Sequence, residues 1–293
     1  MRNILEIAFK NPWGGIALAL NGGIDTAILA KFMPKGSIAY TFKCVVPGMN
    51  VTDETPAAAK YAEACGLKHK VVEIYWEDFE KYVDQLMIQK GAPIHSIEVQ
   101  IYKAALQAKE DEIDTLTFGE AADAIYGGLS GLLSKEWRIG EFIDRYSFVL
   151  PYKVIKDPEL PIKPYKQWET NGYIDPHQFI SHVFIQESVA SYLNATKLAG
   201  INIVFPFPET YLACPMDYRR IRAGENKYLV REVFQRLYPD FIVPQKTPMP
   251  RPMNEWFHDW KGPQREEFWH DCVDGLSGDQ KWLLWVLERY LNL

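Results

Sequence analysis

A short segment that combines two glycines with a carboxylate follows the apolar run at 16–20. It reads Asn21-Gly22-Gly23-Ile24-Asp25-Thr26. Glycines let a backbone approach a ligand closely, and the first N–H groups of a helix favour an anion. Asp25 would repel a bare phosphate, but a Mg²⁺ ion shared by the carboxylate and the phosphates would join the two. The segment therefore indicates either a metal-assisted phosphate site or a tight turn in which Asp25 caps the helix.

A second segment has the same character. Thr117 to Gly128 reads TFGEAADAIYGG and supplies two carboxylates, Glu120 and Asp123, together with glycines. If both segments follow neighbouring strands of one sheet, they face the same cleft. The alternative is a second capped helix, in which the two acids complement the dipole at its N-terminus.

Two cations lie further along the chain. Within Arg222 to Phe234 (RAGENKYLVREVF), Lys227 and Arg231 are four positions apart and share one face of a helix. If this face meets the two acidic loops, Lys227 provides the counter-charge that a phosphate needs. Otherwise, such a pair is typical of a solvated helix surface.

The composition is that of an ordinary globular protein. The chain has 293 residues, of which 47% are hydrophobic and 24% charged, and its net charge is −6. The length predicts about two domains, and the charge argues against a protein that coats nucleic acid. The four cysteines form no Cys-x-x-Cys pair, so we predict neither a zinc site nor a disulfide framework. Without a signal peptide or an apolar run of about 18 residues, we expect a cytoplasmic protein that does not enter a membrane.

Short apolar runs alternate with helical patterns over the first half of the chain. We predict strands at 16–20, 37–42, 69–75 and 115–118, and helices at 25–32, 53–65 and 98–109. Strands that alternate with helices predict an α/β fold with a doubly wound parallel sheet. Ligands of such sheets bind beyond the carboxyl ends of the strands, where both glycine segments begin.

The second half has a different pattern. Four prolines between Pro151 and Pro164 predict a connection or an extended arm. Helical patterns then cover 178–199, 211–218, 225–237, 256–272 and 279–291. We therefore predict an ATP-binding α/β domain over 1–150 and a mostly helical region over 151–293 that completes the active site.

Together, these segments resemble the synthetase domain of asparagine synthetases, a branch of the PP-loop ATP pyrophosphatases. The family's phosphate loop reads Ser-Gly-Gly-x-Asp-Ser, and its second loop reads Gly-Glu-Gly-Ala-Asp-Glu-x-x-Gly-Gly. Three further motifs of the family are matched in order by Pro206-Phe207-Pro208-Glu209, by Gly224, Lys227, Val230 and Arg231, and by Gln245-Lys246. The resemblance runs from about residue 13 to residue 257 and implies a sheet of the adenine-nucleotide alpha-hydrolase type.

The resemblance also implies a chemistry. Such enzymes bind ATP and Mg²⁺, and a carboxyl or carbonyl oxygen of a small acceptor attacks the α-phosphate. Pyrophosphate leaves, and a nucleophile then displaces AMP. By this resemblance, ATP is held at Leu20, Asn21, Gly22, Gly23, Asp25, Thr26, Val46, Gly119 and Lys246.

The resemblance assigns roles to four charged residues as well. Asp25 and Asp123 carry Mg²⁺. Lys227 stabilises charge on the leaving pyrophosphate or in the second step. Glu120 lies near the activated carbonyl and orients or deprotonates the incoming nucleophile.

The chain also departs from the family pattern. Asn21 replaces the serine of the phosphate loop, Ala121 and Ala124 replace a glycine and an acid, and Glu209 replaces an aspartate. The phosphate loop is reached by residue 21, so we expect no N-terminal glutaminase domain. The nucleophile would then be free ammonia, ammonia from a separate glutaminase, another amine, or sulfur from a donor protein.

Three functions follow from these observations. The first is an AMP-forming ligase that adenylates a small acceptor for attack by ammonia or an amine. The second is a sulfur transferase that thiolates a nucleobase or similar molecule through an adenylated intermediate. The third is a non-catalytic nucleotide-binding module, which would not need Asp25, Glu120, Asp123 and Lys227 together. A homo-oligomer is compatible with all three.

Overall fold

A parallel sheet forms the centre of the molecule. The computed structural model describes residues 15–212, 214–245 and 249–293, and eight strands lie within these ranges. They are β1 (Gly15–Ala19), β2 (Ile38–Cys44), β3 (Lys68–Ile74), β4 (Ile113–Thr117), β5 (Trp137–Arg138), β6 (Glu169–Thr170), β7 (Tyr173–Ile174) and β8 (Asn202–Val204). The central sheet has the order β3-β2-β1-β4-β8, and all its pairs are parallel. A small antiparallel sheet has the order β5-β7-β6.

Thirteen α-helices lie outside the strands in the part of the chain that the structure describes. They are α1 (Ile24–Ala30), α2 (Thr55–Cys65), α3 (Trp76–Lys90), α4 (Ile97–Glu110), α5 (Ala122–Ile125), α6 (Ile139–Tyr146), α7 (Lys163–Lys166), α8 (Pro176–Phe179), α9 (Ile185–Ala199), α10 (Tyr218–Arg222), α11 (Tyr228–Leu237), α12 (Met253–Trp256) and α13 (Gly278–Leu291). A π-helical segment at Ile180–Phe184 joins α8 to α9. Among the described residues, no helix combines the length and the apolarity that are needed to cross a bilayer.

Both faces of the central sheet are covered, as parallel sheets require. Side chains alternate along β1, so Ala17 and Ala19 pack into one core cluster while Leu18 packs into another. Helices α3, α4, α9 and α13 contribute to the first cluster, and α1, α2 and α11 contribute to the second. The predicted fold class, a doubly wound parallel α/β sheet with a mostly helical second half, is therefore confirmed.

The strand order positions the site. The chain adds β2 and β3 on one side of β1 and then returns to place β4 on the other side. Such a reversal opens a crevice between the loops that follow the two strands flanking it. Here these strands are β1 and β4, and the register aligns their ends, with Leu18 opposite Thr117. The two glycine segments begin directly after them.

Most of the predicted elements are confirmed, but several elements of the structure were not predicted, among them α6, β8 and the small sheet β5-β7-β6. Helix α3 was not predicted. The helix predicted at 211–218 is wrong, because α10 begins only at Tyr218, after Pro215 and an Asp217 N-cap. The helix predicted at 256–272 is also wrong, because Gly262 and Pro263 interrupt the chain and α12 ends at Trp256. Strand β8 comes from the second half of the chain, and the division at 150 stays a prediction.

Candidate active site

The first glycine segment forms the loop between β1 and α1, and its own side chains close it. Asn21 Oδ1 accepts hydrogen bonds from the Gly23 N–H at 2.8 Å and from Thr26 Oγ1 at 2.6 Å. The N-cap of α1 is Gly23, which has no side-chain cap, so the alternative in which Asp25 caps the helix is wrong. The carboxamide oxygen of Asn21 is engaged inside the loop, and its NH₂ group is the donor that can face a ligand.

Two glycines let the walls of the crevice approach each other. A Cβ atom on Gly22 would lie 3.1 Å from Cβ of Ala57 in α2. A Cβ atom on Gly119 would lie 2.9 Å from Thr26 Cγ2 and 3.3 Å from Asp25 Cβ. The second loop, within the segment Thr117 to Gly128, therefore packs directly on the first turn of α1. Any larger residue at position 119 would push the two apart.

The second loop fixes the side chain of Asp123. A Cβ atom on Gly128 would lie 1.8 Å from Asp123 Oδ1, and the Gly128 N–H donates to the Asp123 carbonyl oxygen at 2.7 Å. Ala121 precedes α5 with a φ of 68°, in the left-handed region that favours glycine. The glycine-to-alanine departure noted in the sequence therefore falls on a position whose backbone suits glycine better.

Lys227 joins the two loops. It is the N-cap of α11, and its side chain is only 8% exposed. Its Nζ donates to Asp25 Oδ2 and lies 2.9 Å from Asp123 Oδ1. Burial alone would lower the pKa of Lys227, but the two carboxylates outweigh burial and raise that pKa above its ordinary value. Lys227 is thus a buried cation that faces both acidic loops, and the solvated-surface alternative is wrong for it.

Glu120 is held by two hydroxyl groups of helix α9. Ser188 Oγ donates to Glu120 Oε1 at 2.8 Å, and the Tyr192 hydroxyl also donates to the Glu120 carboxylate. Burial, together with this carboxylate, raises the pKa of Tyr192 above its ordinary value, so the hydroxyl stays protonated. Ser188 and Tyr192 are one helical turn apart, which places both hydroxyls on one side of α9.

The two loops line a cleft of about 390 Å³. Ten of the predicted site residues line it, namely Leu20, Asn21, Gly22, Gly23, Asp25, Thr26, Gly119, Glu120, Asp123 and Lys227. Arg231 also lines the cleft but donates to the carbonyl and carboxamide oxygens of Asn226, at 2.9 and 3.0 Å. The structure therefore brings together the three segments that the sequence analysis singled out.

The predicted nucleotide-binding residues also include Val46, Lys246 and Leu20. Val46 is not among the described residues that line the cleft, and its carbonyl oxygen accepts from the Met49 N–H in a turn. Lys246 lies outside the described residues. The backbone of Leu20 is engaged in the sheet, because its N–H donates to Tyr40 and its carbonyl oxygen accepts from Thr41 Oγ1.

Glu54, the N-cap of α2, is a cleft residue that the sequence did not reveal. Its carboxylate accepts a hydrogen bond from the Gly22 N–H, inside the first loop. Burial raises the pKa of Glu54 to about 7 despite this hydrogen bond. An acid at the start of a helix is a common capping pattern, so its type and spacing do not point to the cleft.

The cysteines lie elsewhere. Cys44 and Cys272 are buried and Cys214 is exposed. Cys65 Sγ lies 3.2 Å from the Tyr238 hydroxyl. Over the ranges that the structure describes, no cysteine lines the cleft.

The donor set of the cleft fits Mg²⁺ that arrives with phosphates. Asp25 and Asp123 offer oxygen ligands, which this ion prefers. Within residues 15–212, 214–245 and 249–293, no group of three or more histidine, cysteine or carboxylate side chains is placed to hold a metal ion. Two carboxylates leave most of an octahedral shell to water and phosphate oxygens, as is usual for this ion.

The protein's fold and site are those of the PP-loop ATP pyrophosphatase class. Two glycine loops and a buried lysine meet at the strand-order reversal of its parallel sheet. The Asparagine synthase family matches residues 15–182, which is more than half of the chain. The chain therefore belongs to the asparagine synthase family.

Solved structures give more distant similarities. An NH3-dependent NAD synthetase from Campylobacter jejuni subsp. jejuni NCTC 11168 is 14% identical, over 43% of this chain and 56% of that chain, with a TM-score of 0.28. The chain thus spans little more than half the length of that synthetase. The U34-tRNA thiolase NcsA from Methanococcus maripaludis is 16% identical, over 84% and 81%, with a TM-score of 0.31.

The third structure is a predicted subunit of tRNA methyltransferase from Methanocaldococcus jannaschii. It is 13% identical, over 77% of this chain and 86% of that chain, with a TM-score of 0.29. No curated protein matches the chain. The family assignment therefore rests on the asparagine synthase match.

Proposed function

We propose that this protein adenylates a carboxyl or carbonyl oxygen of a small acceptor, with release of pyrophosphate, and passes the acceptor to ammonia or an amine. The contact that carries the proposal is the one of Lys227 with Asp25 and Asp123. This contact brings a cation and two carboxylate ligands together beyond the ends of β1 and β4, where the two loops begin. Acids that only capped the helices after the two strands would not require a buried lysine between them.

The first loop would bind the phosphates. The Gly22 N–H, the N–H groups near Thr26 and the NH₂ group of Asn21 would be the donors to the phosphates, because the Gly23 N–H is already bonded to Asn21 Oδ1. Asp25 and Asp123 would hold Mg²⁺, which when bound neutralises and orients the phosphate oxygens. Leu20, Gly119 and the strand end at Thr41 would then contact the rest of the nucleotide. Val46 and Lys246 stay predictions.

The first step transfers the AMP group to the acceptor. The acceptor oxygen attacks the α-phosphorus, the bond to the β-phosphate oxygen breaks, and pyrophosphate leaves with the electron pair. Lys227 would stabilise the charge that develops on this leaving group, because it is buried and already directed at the loops. A fixed charge of this kind acts most strongly where water is excluded.

The second step requires a nucleophile that loses a proton. An amine attacks the activated carbonyl carbon, AMP leaves, and Glu120 would accept the proton. Ser188 and Tyr192 hold the Glu120 carboxylate in one orientation, which suits that role. Free ammonia, another amine, or ammonia from a separate glutaminase would be used in the same way.

The acids of the cleft favour an amine over sulfur. A sulfide or persulfide anion would be repelled by Asp25, Glu120 and Asp123. A sulfur relay would also need a cysteine in reach, and none of the described residues that line the cleft is a cysteine. An ammonium ion, by contrast, is attracted to the same carboxylates before it loses its proton.

The proposal is tested by pyrophosphate release from ATP and Mg²⁺ over a panel of small carboxylic acids, aspartate and free purines. Each acceptor is supplied with ammonium or, separately, with sulfide. We expect release that requires one acceptor and turnover that ammonium, not sulfide, supports. Preference for sulfide would indicate a sulfur transferase, and nucleotide binding without release over the whole panel would favour a non-catalytic module.

A further inference from the structure

The ammonium group of Lys227 lies where a metal ion would bind. Its Nζ contacts Asp25 Oδ2 and Asp123 Oδ1, the two carboxylates that we propose as Mg²⁺ ligands. A monovalent cation of the chain and a divalent cation from solution would therefore compete for the same oxygens. This competition gives Lys227 a role before any nucleotide has bound.

The surroundings hold the ammonium group in this position. Lys227 has a φ of 53°, a left-handed conformation that is uncommon for a residue with a side chain. This backbone places its side chain at the start of α11, inside the cleft. The Asp123 side chain is fixed over Gly128, and Asp25 is held by the close approach of Gly119. The three charged groups are thus placed by the backbones of three separate segments.

The charges of the cluster balance only in part. One ammonium group faces two carboxylates, because Lys227 Nζ contacts both Asp25 Oδ2 and Asp123 Oδ1. A bare Mg²⁺ ion would bring two like charges next to it. Mg²⁺ bound to a nucleotide brings the phosphate charges as well, and these attract the ammonium group.

We propose that Lys227 is the resident cation of this site and that a divalent metal ion enters only together with the phosphates of a nucleotide. When both arrive, the carboxylates exchange the ammonium group for the metal ion, and Lys227 turns to the phosphates. The inference rests on the proposed function for the identity of the metal ligands. It explains how one lysine balances part of the carboxylate charge before a nucleotide binds and later stabilises the leaving pyrophosphate.

The test uses Mn²⁺ as a paramagnetic probe for the Mg²⁺ site. Water-proton relaxation reports Mn²⁺ that is bound to the protein, and it is measured with and without α,β-methylene-ATP, which resists cleavage. We expect wild type to bind Mn²⁺ weakly alone and at least about tenfold more tightly with the nucleotide analogue, because the repulsion between close charges is then relieved. Lys227→Met is expected to bind one Mn²⁺ ion without nucleotide, at least about tenfold more tightly than wild type.

Two further variants test whether loss of the Lys227 ammonium group itself causes the gain in Mn²⁺ affinity. Lys135→Met removes a lysine charge outside the cleft, in the exposed pair with Glu141, and leaves the contacts of Lys227 in place, so its Mn²⁺ binding without nucleotide should match that of wild type. Asp25→Asn in the Lys227→Met background should abolish the new Mn²⁺ site. This loss would show that the ion binds where the ammonium group lay.

Several outcomes would overturn the inference. One is Mn²⁺ binding by wild type that is equally tight with and without the analogue, a result that needs no variant to fold. Another is a folded Lys227→Met protein that gains no Mn²⁺ affinity. If wild type binds neither the analogue nor pyrophosphate, the proposed function fails, but the comparison between Lys227→Met and wild type still tests the resident cation.

Discussion

Lys227 Nζ lies 2.9 Å from Asp123 Oδ1, so the N-cap residue of α11 is anchored in the glycine segment that follows β4. The same Nζ contacts Asp25, in the loop that follows β1. Both loops leave the sheet at its strand-order reversal, and Lys227, the N-cap of α11, lines the cleft that they share. The charge cluster is therefore a direct consequence of the topology.

Removal of the Lys227 charge is expected to impair turnover. Lys227→Ala should lower the rate of pyrophosphate release by about 10²–10³, the usual effect of one fixed charge at a developing anion. The rate is measured at saturating ATP and acceptor. Lys135→Ala, which removes a lysine from the exposed pair with Glu141, is the control and should leave the rate unchanged. A Lys227→Ala rate within about threefold of wild type would contradict the role.

Loss of the hydroxyls that hold Glu120 should slow the amine-dependent step. Ser188→Ala and Tyr192→Phe are each expected to lower kcat by about tenfold to hundredfold, the usual range for hydrogen bonds to a charged group. The KM for ATP should stay unchanged, since neither hydroxyl belongs to the phosphate loop. Tyr82→Phe, which removes a hydroxyl on α3 away from the cleft, should behave like wild type.

A double-substitution cycle separates positioning from a general effect on structure. If both hydroxyls act through Glu120, neither substitution should lower the rate further in a Glu120→Ala background. Additive losses in that background would show that Ser188 and Tyr192 act independently of Glu120.

Glu54 should make anion binding depend on pH. Its pKa is raised by burial to about 7, and an anion bound to the Gly22 N–H would raise that pKa further. The complex then holds more protons than the free protein, so affinity falls as pH rises through 7. We expect Glu54→Gln to bind pyrophosphate like wild type at pH 6 and about tenfold more tightly than wild type at pH 8.

The comparison with Glu54→Gln isolates this effect, because the ionisation of pyrophosphate itself is the same for both proteins. Glu63→Gln is the matched control, because it removes an exposed carboxylate of α2 that does not line the cleft. A ratio of affinities between Glu54→Gln and wild type that stays flat from pH 6 to 8 would disprove the coupling.

Gly128 should tolerate no side chain. Gly128→Ala places a methyl group against Asp123 and is expected to cost about 1–3 kcal/mol of unfolding free energy, as overpacking usually does. It should also weaken binding of ATP with Mg²⁺. Gly140→Ala is the control, because no atom lies within 4 Å of the added Cβ. Urea denaturation of the two variants gives the comparison, and equal stabilities would contradict the packing described for the second loop.

The sequence predicts the strand-loop-helix units well because their signals are local. These signals are the spacing of apolar residues and the glycines and prolines at which elements end. The short apolar run of β1 and the glycines after it mark the first loop without tertiary information. The apolar spacing of Phe79, Val83, Leu86 and Met87 also carried the signal for α3, although this helix was not predicted. The wrong helix at 256–272 reflects helical spacing that extends across the Gly262-Pro263 break.

Contacts between distant elements are not encoded locally. Ser188 and Tyr192 reach Glu120 only because α9 crosses beside the second loop, and Glu54 reaches Gly22 only because α2 packs on the first loop. The addition of β8 to the sheet likewise depends on a short strand, Asn202–Val204, that pairs with β4. These relationships depend on packing, which residue types and spacing do not specify.

The central claim is that ATP is cleaved between its α- and β-phosphates. Products are followed by ³¹P NMR with ATP, Mg²⁺, ammonium and the acceptor panel, with Asp25→Ala as the blank. The account predicts AMP and pyrophosphate in equal amounts, dependent on one acceptor and absent from the blank. Formation of ADP and phosphate, or AMP formation that persists in Asp25→Ala, would contradict it.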